Sequence, residues 1–286
     1  MIPYETNERL EMCESTTVAT KRKSIPRLTD MNITTLRFAL HALTTTPLEL
    51  SVSIKVDGFG ARIGKTANGT PFFETSNSGP IYSSAQFRNR ATELSDAPER
   101  ASRANEYGNF MDFLLQSELM EKIRNGTKVV VEVLYRNFAA RTGTDMLTFV
   151  KTPYPDHAIG SVATVIILGV LSTQDNGPVD DPHYINTLVQ ASTASLHVNM
   201  APTLQLRPIL NTNEIMDVLQ SLSGVSVIKA DMRKNLFNFI DELENKILAS
   251  MKSLSCLGTS NHEGYVLYDD RTGVKFKIDK RQKQKR

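Results

Sequence analysis

The chain reads as an α+β protein whose sheet is mostly antiparallel and is interrupted by a helical excursion. Three observations predict this. Short runs alternate with period two, as Val52, Ile54 and Val56 do against Ser53, Lys55 and Asp57; such runs are half-buried strands. Turn signals such as Asn68-Gly69 join neighbouring runs into hairpins. Between residues 211 and 253 the apolar period becomes that of a helix.

Taken in order, residues 1–28 are polar and are expected to form a flexible arm. Thr34 to Thr45 predicts a short amphipathic helix with Leu36, Phe38, Leu40 and Leu43 as its apolar residues. Leu48 to Asp57 predicts a strand. Asn68-Gly69 then joins Ala61–Gly64 to Pro71–Thr75. Phe110 to Arg124 is expected to be helical, ended by Gly126. Lys128 to Tyr135 and Ala163 to Leu171 are strands rich in Val, Ile and Leu. Ile215, Val218, Leu219 and Leu222 form one helical stripe. Met232, Leu236, Phe237, Ile240, Leu243, Ile247 and Met251 form a longer one. Tyr265–Asp269 and Val274–Ile278 close the chain as a hairpin about residues 270–273. The expected organisation is therefore the arm, one domain over 29–279 with a helical insertion at about 211–253, and a tail over 280–286.

Composition narrows the class. At 286 residues with 40% hydrophobic and 22% charged, the chain is long enough for a sizeable core and ordinary for a globular protein. The longest apolar run, Val162 to Leu171, falls short of the roughly 18 residues a membrane helix needs. No membrane association is expected. No secretory h-region opens the chain, and its two cysteines, Cys13 and Cys256, have no metal spacing. A reduced, cytoplasmic or otherwise intracellular monomer is the expectation. The charge is uneven: the chain carries +2, but residues 275–286 carry +6, leaving −4 elsewhere. A second basic cluster is Lys21-Arg22-Lys23 with Arg27. Such clusters attract phosphate backbones. The five histidines show no metal-ligand spacing.

The chemistry centres on Lys55. Period two sets Lys55 and Asp57 on one face of their strand, with Ile54 and Val56 on the other. Gly58 follows, a position where backbone can turn tightly or approach closely. A lysine nucleophile needs its free amine, which nearby cations, a metal or desolvation can favour. Lys275 and Lys277, two apart on a strand, share a face and could stabilise phosphate charge. Glu132 lies in the apolar run from Lys128 to Tyr135, where an unpaired carboxylate is costly. It should face a cavity or a partner. Glu263 opens Glu-Gly-Tyr-Val and is a candidate carboxylate beside a hydrated metal ion.

Each piece alone is common; their order is not. Lys55-Val56-Asp57-Gly58, then Ser78-Gly79-Pro80-Ile81, Glu132, Glu263-Gly264-Tyr265-Val266 and Lys275-Phe276-Lys277 resemble the landmarks of the covalent nucleotidyltransferases. The likeness covers about residues 50–280 and is greatest to the type-2 RNA ligases, which are ATP-dependent polynucleotide ligases. It implies an antiparallel-sheet, ATP-grasp-like ligase adenylation domain. It implies that Lys55 attacks the α-phosphate of ATP, that Glu132 holds the ribose, and that Glu263 serves Mg2+ or Mn2+. Lys275 and Lys277 would contact the α-phosphate, with Asp57, Gly58 and Arg62 also at the nucleotide. AMP would pass to a 5′-phosphate end of RNA or another nucleic acid, and a 3′-hydroxyl would displace it. Asn77, Ser78, Arg88 and Arg90 are the candidates for contact with that strand.

The chain departs from that pattern in three places. Asn77 stands where the family has an arginine before Ser-Gly-Pro; Arg62, Arg88 or Arg90 are the substitutes in the chain. No aromatic residue for stacking on adenine occurs over Val165–Val170, where Ile167 offers only an apolar surface. Few residues follow Lys277, so the further domain of DNA ligases and capping enzymes is not expected. The alternatives are a DNA ligase, a capping-type nucleotidyltransferase, or a degenerate nucleotide- or RNA-binding protein without sealing activity. Asn77 favours the last; the retention of Lys55, Glu263, Lys275 and Lys277 speaks against it.

Overall fold

The computed structural model describes residues 31–45, 50–75, 78–136, 161–201, 203–205, 212–226, 228–251, 264–269 and 275–279. The N-terminal arm with its basic cluster, both cysteines, Asn77, His157, His262, Glu263, the 270–273 turn and the basic tail lie outside them. Two compact units emerge. One holds the described residues up to Lys55, from Thr203 to Met251 and from Gly264 onward; the other runs from Val56 to Ala201.

The first unit contains helix α1 (Ile33–Thr45) and strand β1 (Leu50–Lys55). In α1, Leu36, Ala39, Leu40 and Leu43 are buried, an i, i+3, i+4, i+7 stripe. Phe38, expected in that stripe, is 49% exposed because it lies two positions from Leu36 and so points away. Three more strands belong here: β7 (Thr203–Gln205), β8 (Gly264–Asp269) and β9 (Lys275–Asp279). They form an antiparallel sheet in the order β7-β1-β8-β9. Val52, Ile54, Tyr265, Leu267 and Ile278 are buried on one of its faces. Helices α6 (Thr212–Ser221) and α7 (Ala230–Met251) follow the two predicted stripes. Ile215 and Val218 are buried in α6, Leu222 just past its end, and Leu236, Ile240, Leu243 and Ile247 in α7. Arg37 of α1 donates to the carbonyls of Leu222 and Val225, satisfying backbone oxygens at the end of α6. Glu244 of α7 is buried, and its charge adds to burial in pushing the Tyr265 phenol well above its usual range.

The second unit is built on β2 (Phe59–Lys65), β3 (Pro71–Thr75), β4 (Thr127–Tyr135), β5 (Ala163–Ser172) and β6 (Leu196–Met200). Their order is β3-β2-β4-β5-β6. All pairs are antiparallel except β5 with β6, which is parallel. The β2–β3 turn forms where predicted, with Gly69 at φ +83°. Helices α2 (Ser84–Glu93) and α3 (Pro98–Leu115) supply the aromatic core. Phe73 sits 5.8 Å from Phe87, 5.9 Å from Phe110 and 6.4 Å from Phe59, centroid to centroid. Phe110 in turn lies 5.1 Å from Tyr135. These spacings are those of favourable ring pairs.

The helix expected over Phe110–Arg124 is two helices, α3 and then α4 (Glu118–Lys122). Ser117 is the reason. Its hydroxyl donates to the Leu114 carbonyl and accepts from the Met120 amide, closing one helix and capping the next. Helix α5 (Pro182–Val189), capped by Asp181, was not predicted. Nor were α2 and β6, whose apolar stripes are too short to show a period. Among the described residues no helix is long and apolar enough to cross a membrane.

Candidate functional site

β1 places Lys55 at its last position, where it pairs with Gly264 of β8. β8 carries the register on to β9: Val266 pairs with Ser53 on one side and with Lys277 on the other. Residues opposite each other in a ladder share a face, as do residues two apart on one strand. Ser53, Lys55, Gly264, Val266 and Lys277 therefore lie on one face of this sheet. Burial agrees: Ser53, Lys55, Val266 and Lys277 are half-buried, while the residues alternating with them are buried.

Strand spacing fixes the scale. Lys55 and Lys277 are two strands and two residues apart, about 12 Å between Cα atoms. Lys275 pairs with Tyr268, a further two residues along, about 17 Å from Lys55 by the same geometry. Extended lysine side chains span the first distance with a phosphate between them. Gly264 stands directly across from Lys55 and has φ +153°, which side-chain-bearing residues rarely adopt. The position beside Lys55 thus carries no side chain. The pairing of β1 with β7 ends at Ser53–Thr203, so Lys55 extends one repeat past that neighbour.

Asp57 does not continue the β1 alternation. The strand ends at Lys55, and Asp57 falls in the following bend, where it is 5% exposed. Period two holds only while the backbone stays extended, and here it stops two residues short of the expected end.

The remaining candidates lie in the second unit. Glu132 is half-buried on β4, the central strand, and accepts a hydrogen bond of 3.2 Å from the Gly58 amide. Gly58 is required by close approach: a Cβ there would stand 2.5 Å from the Val133 carbonyl oxygen. Arg62 is buried on β2 and forms a 2.7 Å ion pair with Glu74, its partner across the β2–β3 ladder. Ser78 closes the turn after β3, its hydroxyl accepting from the Thr75 amide at 3.0 Å. Arg88 of α2 pairs with Asp112 of α3 at the surface. Hydrogen bonds from Ser84 and Arg88 hold the Asp112 carboxyl below its usual range. Arg90 is exposed on α2.

Register also moves the apolar candidate. Glu132 pairs with Gly60 on one side and Ile166 on the other. Ile167 pairs with Val131 and so lies on the opposite face. Ile166 therefore shares the Glu132 face, and Asn199 continues the row on β6. Alternation alone does not choose between neighbouring residues in an all-apolar strand, so this escaped the sequence. Ser53 shares the Lys55 face by its two-residue spacing, which the sequence alone already shows.

Among the described residues no group of three His, Cys, Asp or Glu could hold a metal ion. The one candidate metal carboxylate, Glu263, lies outside them.

No family model matches the chain, and no curated protein matches it by sequence. Solved structures it resembles include ATP-dependent RNA ligases and a DNA ligase. An archaeal ATP-dependent RNA ligase is 13% identical at a TM-score of 0.38, covering 90% of this chain and 47% of that one. A mutant RNA ligase of Naegleria gruberi with ATP and Mn is 10% identical at 0.41, covering 92% and 57%. The ATP-dependent DNA ligase of bacteriophage T7 in complex with ATP is 11% identical at 0.39, covering 85% and 65%. This chain spans about half the length of the RNA ligase chains.

Proposed function

We propose that this chain is an ATP-dependent RNA ligase-like nucleotidyltransferase that forms a lysyl-AMP on Lys55. One observation carries the reading: Lys55 and Lys277 share a half-buried sheet face, with side-chain-free Gly264 directly across from Lys55. The order of the sequence landmarks supports it separately. In the reaction, the unprotonated Nζ of Lys55 attacks the α-phosphorus of ATP. A nitrogen–phosphorus bond forms, the bond to the bridging oxygen breaks, and pyrophosphate leaves with the electron pair. The amine proton goes to solvent. Lys277 stabilises the negative charge on the α-phosphate oxygens in the transition state. AMP then passes to a 5′-phosphate end, and a 3′-hydroxyl displaces it to join the strands.

By resemblance alone, Lys275, Asp57, Gly58, Arg62 and Glu132 are retained as nucleotide candidates. Asn77, Ser78, Arg88 and Arg90 are retained in the same way for the nucleic-acid strand. Glu263 is the proposed ligand for Mg2+ or Mn2+, and the basic tail the proposed grip on RNA.

The test is incubation with magnesium and ATP labelled at the α-phosphate, in parallel with labelled GTP and NAD. ATP is expected to give an alkali-stable, acid-labile protein adduct, as a nitrogen–phosphorus bond requires. Lys55→Ala abolishes it. Adduct at full level in that variant overturns the assignment. Joining of 5′-phosphorylated RNA against DNA then separates the RNA ligase from its DNA-ligase alternative.

A further inference from the structure

We propose that Ser53 is a further catalytic residue, whose hydroxyl donates to a non-bridging oxygen of the α-phosphate while Lys55 attacks. The inference rests on the nucleotidyltransferase reading and adds a residue to it. Ser53 is two positions before Lys55 on the same face, about 7 Å away between Cα atoms. Through Val266 it is also in the ladder row of Lys277. It therefore stands at the corner shared by the two lysines, and a phosphate held midway between them lies over β8, about 6 Å from the Ser53 Cα. Gly264 and Val266, the two β8 residues between the lysines on this face, offer no side-chain donor. Ser53 is half-buried, and among the described residues its side chain makes no hydrogen bond. Ser51, the next serine on that face, is 2% exposed and already engaged with other groups. Thr203, opposite Ser53 on β7, also bears a hydroxyl on this face but stands one strand farther from Lys277, so Ser53 is the hydroxyl at the corner between the two lysines. A phosphate oxygen suits it, because hydrogen bonds to an ionised acceptor are the stronger kind.

The experiment compares Ser53→Ala, Ser53→Thr and Ser53→Val with the native chain in single-turnover adduct formation from ATP. Melting temperature is recorded for each. Threonine and valine have the same shape and both favour strands, so their difference isolates the hydroxyl. Loss of a hydrogen bond to a charged group corresponds to roughly a ten- to hundredfold slower reaction. Ser53→Ala and Ser53→Val are expected to show that loss in the maximal rate with melting unchanged. Ser53→Thr is expected to stay within about threefold of native by the same comparison. The α-thio diastereomer of ATP that slows the native chain is expected to slow Ser53→Val no further. Equal rates for the threonine and valine variants overturn the role of Ser53 while leaving that of Lys55 intact. A native chain that forms no adduct from any nucleotide overturns both.

Discussion

In the first unit, Ser53, Lys55 and Lys277 come onto one face by strand register, whereas in the second unit several polar candidates are placed by identified local bonds. Glu132 holds the Gly58 amide, Arg62 pairs with Glu74, Ser78 closes a turn and Arg88 pairs with Asp112. The first arrangement is set by which strands pair and in what register. The second uses comparable groups to hold the chain together. Substitution should expose the difference: the lysine face should lose reaction rate at constant stability, and the five-stranded unit should lose stability first.

The largest effect is expected at the aromatic core. Phe73 is 1% exposed and meets the rings of Phe59, Phe87, Tyr107 and Phe110. Phe73→Ala should cost about 3–5 kcal/mol. Denaturant unfolding followed by circular dichroism measures it, and a loss below about 1 kcal/mol would contradict the packing described here.

Next comes the lysine pair, where the comparison is sharpest. Lys277→Ala should slow adduct formation by about 2–4 kcal/mol of barrier, roughly 30- to 1,000-fold, with the unfolding midpoint unchanged. Lys275→Ala should slow it less, because its register position is farther from Lys55. A larger loss at Lys275 would mean that ladder distance does not rank the two residues.

The smallest of the three is at Gly58. The atom that a new Cβ would strike is backbone, the Val133 carbonyl oxygen at 2.5 Å, and it cannot rotate aside. Gly58→Ala should therefore destabilise by about 1–3 kcal/mol, in the range of overpacking. Any loss of nucleotide reaction should accompany the loss of fold. Full stability with lost adduct formation would instead move Gly58 from a packing role to the reaction itself.

Much of this was legible in the sequence because local rules act over a few residues. Alternation marked Val52 and Ile54 as core and Lys55 as a residue of the other face. Helical period marked Leu36, Leu40 and Leu43, the α6 stripe and most of the α7 stripe. Asn68-Gly69 marked its turn, and the spaced landmarks drew attention to the two strands that follow Glu263. The misses have different causes. Ser117 divides a helix through hydrogen bonds that apolar period does not register. Phe38 is apolar but stands two positions from Leu36, off the buried i, i+3, i+4, i+7 stripe.

What only tertiary structure decided is pairing. The sequence set Lys275 and Lys277 on one strand but not which of them stands nearer Lys55. That follows from Val266 meeting Ser53 on one edge and Lys277 on the other. It could not choose Ile166 over Ile167, since both are apolar and only the partner across the ladder distinguishes them. Nor could it show that Asp57 leaves the strand, or that Gly58 meets a carbonyl of β4 from 75 residues further along the chain. Side-chain period is a property of one segment. Register is a relation between two segments distant in sequence, set by the packing of both, and it is register that brings Ser53, Lys55 and Lys277 to one face.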